Sequence, residues 1–131
     1  MSKILLFIIP IAFIGFIFFL MSGSSQNNTS NNSGNVKGAT MQGDTQIIEI
    51  VAKGGYSPRV VNAKANTKTT LNMKTINTYD CSSALIIKDL GVNDSLSQNG
   101  IKSYTIPPQK PGTVISGNCS MGMYGFKIKF N

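Results

Sequence analysis

The groups able to do chemistry in this 131-residue chain are few, and the densest set is the run Asn118-Cys119-Ser120-Met121-Gly122-Met123-Tyr124-Gly125. Of six Met, Met1 is the initiator and Met21 closes an apolar run, yet two of the other four fall within four residues of a Cys. A thiolate and two thioethers at Cys-x-Met-x-Met spacing are soft, polarisable donors. That set selects Cu(I), or Ag(I) as its mimic, over zinc, iron or calcium. In a strict strand the three side chains would share a face; in a turn, Gly122 would let them converge. The competing use of Met is to fill gaps in a core. The second cysteine, Cys81, stands 38 positions before Cys119. A Cys81–Cys119 disulfide is the structural alternative for an exported chain, and a loop of that size makes it worth about 3 to 4 kcal/mol. Ligation and bridging exclude each other at any moment, so oxidation could also be a release or resting state.

The chain has no His. That excludes a Ser-His-Asp or Cys-His catalytic arrangement, His-ligated zinc and an ordinary blue-copper centre, each of which needs imidazole. A thiol-disulfide enzyme normally uses a close Cys-x-x-Cys pair, which is missing as well. The chain is therefore expected not to be an enzyme. Asp80, beside Cys81, reads either as an acceptor that orients the thiol or as an ordinary turn residue. Gly54-Gly55 lacks the following helix that a phosphate cradle needs. Tyr56 and Tyr79 read as core or strand-edge packing.

Short strands must position these groups. Residues 45–53, 59–63, 69–75, 84–87, 102–106, 113–118 and 124–130 read as strands, with a turn over 54–58. Leu71 and Met73 fall on one face of their strand and Asn72 and Lys74 on the other. In the last strand Tyr124, Phe126, Ile128 and Phe130 face inward, while Lys127 and Lys129 face out. About seven strands over residues 44–131 with no sustained helical period give an all-β sandwich.

Ahead of that domain, residues 4–21 carry no charge and hold five of the seven Phe. As a helix they would cover about 27 Å, close to the hydrocarbon thickness of a bilayer. They are expected to form one transmembrane helix, residues 1–21 being a membrane anchor; a cleaved signal peptide is the competing reading. Lys3 precedes the run and no basic residue follows it until Lys37, which places the rest of the chain outside the cytoplasm. Residues 22–43 form a leash, beginning with fourteen residues drawn only from Ser, Gly, Gln, Asn and Thr. The whole chain carries a net charge of +7, with its outer lysines spread singly, as on strand edges kept soluble. Attraction to anionic lipid or an acidic partner is the other use of that charge. No basic-aromatic stripe suggests nucleic acid.

The order of segments resembles a cupredoxin-like domain. Its landmarks are Gly55-Tyr56-Ser57-Pro58, residues 77–81 and 96–100, Pro111-Gly112-Thr113 and the run from Cys119 to Gly125. The resemblance implies a Greek-key β-sandwich with a copper site at one end. Cys119 matches the family's loop Cys, Met123 its axial Met, and Cys81 falls where an upstream His would lie. A subgroup tied to heavy-metal handling is similar again, pairing an upstream Cys with Cys-x-Met-Gly-Met. It implies a Cu(I) site of Cys81, Cys119 and Met123, with Met121 as an alternative or fourth donor. A copper transporter or metallochaperone is the partner such a site implies. Gly112 lies seven residues before Cys119 where the family has six, which points to a bulge at Gly117.

Overall fold

Alternating apolar and polar residues dictate two sheets, each with one face that must be buried. The computed structural model describes residues 38–131. Within them lie ten strands: β1 (Ala39–Gln42), β2 (Thr45–Ala52), β3 (Tyr56–Ser57), β4 (Val60–Ala63), β5 (Lys68–Thr75), β6 (Ala84–Ile87), β7 (Val92–Ser95), β8 (Gly100–Ile106), β9 (Val114–Cys119) and β10 (Gly125–Phe130). Two single 3-10 turns, Cys81–Ser83 and Lys88–Leu90, flank β6. One sheet has the order β1-β2-β5-β8 with β3 also on β2; the other runs β4-β10-β9-β6-β7. The β2–β5 and β4–β10 pairs are parallel, and all the others are antiparallel.

The inner faces follow the period of two. Ile48 and Ile50 of β2, Leu71 and Met73 of β5, and Leu85 and Ile87 of β6 are buried. Ile115 of β9 and Phe126, Ile128 and Phe130 of β10 join them in one core. At one free edge, Tyr104 of β8 donates its hydroxyl to Asp94 Oδ2 of β7 at 2.9 Å, and Lys102 of β8 pairs with the same carboxylate. These contacts tie the last strand of one sheet to the last strand of the other. Lys102, with Tyr104 behind it, holds the Asp94 carboxyl below the usual carboxylate range.

Three strands escape the sequence pattern. β1 lies in the stretch read as leash, so the ordered sheet begins before residue 44; three of its four residues are exposed, and it has no apolar alternation to reveal it. β3 is two residues inside the expected turn, and β7 (VNDS) is a polar edge strand. Among the described residues no helix is long and apolar enough to cross a membrane. The transmembrane helix expected over 4–21 and the leash up to residue 37 lie outside the described residues.

The expected bulge at Gly117 is corrected. Gly117 sits in unbroken register opposite Phe126, between the Asn118–Gly125 and Ser116–Lys127 pairs. A Cβ on Gly117 would stand 2.2 Å from Cζ of the Phe126 ring, so the glycine exists to let that ring lie across β9. Gly117→Ala should therefore destabilise the fold by about 1 to 3 kcal/mol through overpacking, read as a lower denaturant midpoint at unchanged slope.

Candidate metal centre

The last inward position of β9 is Cys119, 2% exposed and part of the core. It pairs with Leu85 of β6, and Ser120 N donates to Ala84 O at 2.9 Å. Because β6 starts directly after the Cys81–Ser83 turn, this ladder delivers Cys81 to Cys119. Their Cα atoms are 5.8 Å apart and the two sulfurs are joined as a disulfide. Cα atoms that close also let two reduced thiols meet a single soft ion.

The Cys81 turn is anchored to both sheets. Asp80 caps it: Oδ1 accepts from Ser82 N at 2.8 Å and from the Ser82 hydroxyl, and Oδ2 accepts from Gly54 N at 2.9 Å, just beyond β2. Thr78, 1% exposed, donates its hydroxyl to Ala52 O of β2 and its N–H to Gln98 O. Leu96 N donates to Ser83 O at 2.8 Å. Asp80 is thus a residue that positions Cys81 through its neighbours. The Ser82 hydroxyl first, then the Ser82 and Gly54 N–H groups, hold its carboxyl below the ordinary range.

Beyond Cys119 the chain turns sharply. Gly122 N donates to Cys119 O at 2.9 Å, Cys119 N donates to Tyr124 O at 3.0 Å, and Gly122 adopts φ +71°, a conformation that favours glycine. This turn leaves Met121 74% and Met123 64% exposed. Neither is a core filler, in contrast to Met73. The structure therefore brings Cys81 and Cys119 together with Asp80 at the base of the turn, and sets Met121 and Met123 on the open tip beside Cys119. Tyr79, expected to pack, is 73% exposed; Tyr56 is buried against the Phe126 ring. The Tyr56 hydroxyl is buried without a hydrogen-bond partner, and burial, with the Asp80 charge behind it, pushes its pKa up to about 12.

Thr78 and Ser82 are the positioning residues that sequence reasoning missed. The signal for Ser82 was present as Asp80-x-Ser82, an acidic cap two residues before a backbone donor. Thr78 gave none, because its partner Ala52 is 26 residues away. Among the described residues no three Cys, Asp or Glu side chains gather as a metal cluster.

Asp80→Ala should cost about 1 kcal/mol of stability at neutral pH, the usual loss for a helical cap. The lowered carboxyl fixes the sign of the pH dependence. Its contribution is complete above the unfolded pKa of about 3.9 and disappears as pH falls through the folded value. Wild type and variant should accordingly converge in thermal stability at strongly acid pH, as read by circular dichroism melts across a pH series.

Residues 10–129 match the model of the cupredoxin-like domain. Among solved structures, the chain is similar to the metal-binding domain of the Cu(I)-exporting P-type ATPase CopA of Streptococcus pneumoniae D39, determined with Cu(I). That likeness has a TM-score of 0.62 at 18% identity, over 71% of this chain and 92% of that one. A copper-binding protein determined in its apo form matches with a TM-score of 0.64 at 22% identity, over 71% and 94%. Auracyanin B matches with a TM-score of 0.50 at 11% identity, over 73% and 96%. No curated protein matches the chain. The β-sandwich, the cysteines met at its end and the matched span together make this chain a member of the cupredoxin-like domain family.

Proposed function

We propose that this chain is an extracytoplasmic copper-binding protein, tethered to the membrane through residues 4–21, that captures Cu(I) and holds it or hands it on. Ag(I) would follow the same chemistry. Cys81, Cys119 and Met123 are the donors, with Met121 as an alternative or fourth. The observation that carries the reading is the meeting of Cys81 and Cys119, Cα to Cα 5.8 Å, at the base of an exposed Met-x-Met turn. The solved copper-binding relatives support it. With no imidazole to hold an oxidised ion, a set of thiolates and thioethers favours Cu(I). The buried Cys119 and the partly buried Cys81 give the site its fixed floor, and exposed thioethers give it a replaceable lid. An incoming thiolate from a transporter or metallochaperone can attack an unfilled coordination position and take the ion by ligand exchange. No covalent chemistry on a substrate is needed, and the protein is not an enzyme.

Metal binding requires the dithiol. An external thiol reductant gives it by passing two electrons and two protons to the disulfide and becoming a disulfide itself, and the two thiols then deprotonate on binding. The disulfide itself favours a second reading, a metal-free extracellular interaction module stapled by Cys81–Cys119. Titrating the full-length chain with Cu(I) against a competing chelator separates the two. The anaerobically reduced protein should bind, the oxidised protein should not, and Cys81→Ser or Cys119→Ser should weaken binding at least about tenfold. Cu(I) affinity unchanged in Cys119→Ser, or no binding by the reduced protein, overturns the copper reading in favour of the stapled module.

A further inference from the structure

The outer face of the β4-β10-β9 sheet carries a cleft of about 520 Å³, lined by Arg59, Val60, Ser116, Asn118, Gly125 and Lys127 with the edge of Phe126. A smaller pocket of about 90 Å³ shares Arg59 and Gly125 with it and is lined further by Tyr56, Met123 and Tyr124. The two form a path from the second methionine of the turn, past a guanidinium, to an ammonium on β10. Its charge has one sign: no Asp or Glu lines either part.

Glu49 and Asp94 are engaged elsewhere, while Asp80 and Asp89 border the path beside its lining residues Tyr56 and Ser116, their oxygens taken up by hydrogen bonds. Glu49 pairs with Lys74 at 3.7 Å, Asp94 pairs with Lys102, and Asp80 accepts from Ser82 and Gly54. Asp89 Oδ2 accepts from Ser116 N at 3.4 Å. Among the described residues neither Arg59 nor Lys127 makes an ion pair. Hydrogen bonding fixes the cleft from beneath, since Lys127 N donates to Arg59 O at 2.8 Å and β4 runs parallel to β10 from Val60–Lys127 onward. Gly125 keeps the floor open, because a Cβ there would lie 2.6 Å from Asn118 Oδ1. Val60, 48% exposed, adds an apolar wall. Tyr56, whose buried hydroxyl has no acceptor, lines the small pocket.

We propose that this path is the docking surface for an acidic segment of a protein partner, whose carboxylates pair with Arg59 and Lys127 and bring the partner's own soft ligand to Met123. The identification of that partner as a giver or taker of Cu(I) rests on the function proposed above; the carboxylate contact does not. The cleft is an open recess with Val60 as its apolar wall, a shape that side chains projecting from a peptide can enter. The phosphates of a bilayer lie in a plane and would meet protruding lysines first. Guanidinium offers a planar fork to a carboxylate, and the facing ammonium adds a point charge to hold the next one. Opposite charge also speeds encounter, which serves a carrier that must meet its partner briefly.

The test uses the full-length, metal-free chain in neutral detergent micelles, with a fluorescent peptide of alternating Glu and Ser as the probe. The same peptide with Gln for Glu, and vesicles containing phosphatidylglycerol, serve as comparators. The Glu peptide should bind and the Gln peptide should not. The double variant Arg59→Gln with Lys127→Gln should lose about tenfold in affinity, while Lys68→Gln with Lys110→Gln, which removes the same charge elsewhere, should lose less than about twofold. Equal losses in the two double variants, equal binding of the Gln peptide, or binding to the anionic vesicles without the Glu peptide each overturn the proposal. Unfolding midpoints measured for both variants separate lost docking from lost structure. Peptide binding by a protein that fails to load Cu(I) leaves the docking surface standing and removes the copper reading. Cu(I) loading without peptide binding does the reverse.

Discussion

The pairing of Leu85 with Cys119 is the constraint on which the site depends. It is a short ladder, two residue pairs between β6 and β9, yet it fixes where a core strand ends relative to where another begins. Since β6 starts directly behind the Cys81–Ser83 turn, this ladder decides that two cysteines 38 residues apart meet. The other sheet then locks the approach. Thr78 bonds to Ala52, the last residue of β2, and Asp80 to Gly54 just beyond it, so the Cys81 turn is held from the β2 side as well as by β6.

The arrangement divides the proposed donors into two mechanical classes. Cys119 is buried and ends a β-ladder, and Cys81 begins a capped turn; neither can travel far without breaking backbone hydrogen bonds. Met121 and Met123 project from a turn whose only internal restraints are the Gly122–Cys119 and Cys119–Tyr124 bonds. Thioethers bind a soft ion more weakly than thiolates do, and here they are also the groups free to move. In a site that captures and releases, the weak, mobile donors belong on the side from which the partner comes. The cationic path also reaches the site there, at Met123.

The sequence revealed those parts of the fold in which burial writes a period of two. The long strands β2, β5 and β10 showed themselves, with Leu71, Met73, Phe126, Ile128 and Phe130 inward as expected. β1 and β7 did not, because an exposed edge strand is held by backbone bonds to a neighbour and leaves its side chains free of pattern. Gly117 was legible as an exception and misread in kind. A glycine in a strand signals close approach as well as a bulge, and only the ring of Phe126 nine residues on tells which. In the site, the residue types were legible and the contacts were not. Cys81 and Cys119 converge because of a register, and Asp80 acts through Gly54, 26 residues before it; neither relation leaves a trace in local spacing.

The missing imidazoles bear on redox chemistry as well as on metal choice. A centre with two His and one Cys keeps its ligands fixed while the electron enters and leaves the metal. Replacing the upstream imidazole by the Cys81 thiol removes the ligand that would stabilise oxidised copper. The same replacement places a second sulfur where Cys119 can reach it. Oxidation then has a different outlet: the two thiols lose two electrons and two protons to become the disulfide, which has no thiolate left to offer. Under the function proposed here, a cupredoxin-like fold without His stores oxidation in its ligands, so that one pair of residues sets both which ion is held and whether any is held at all.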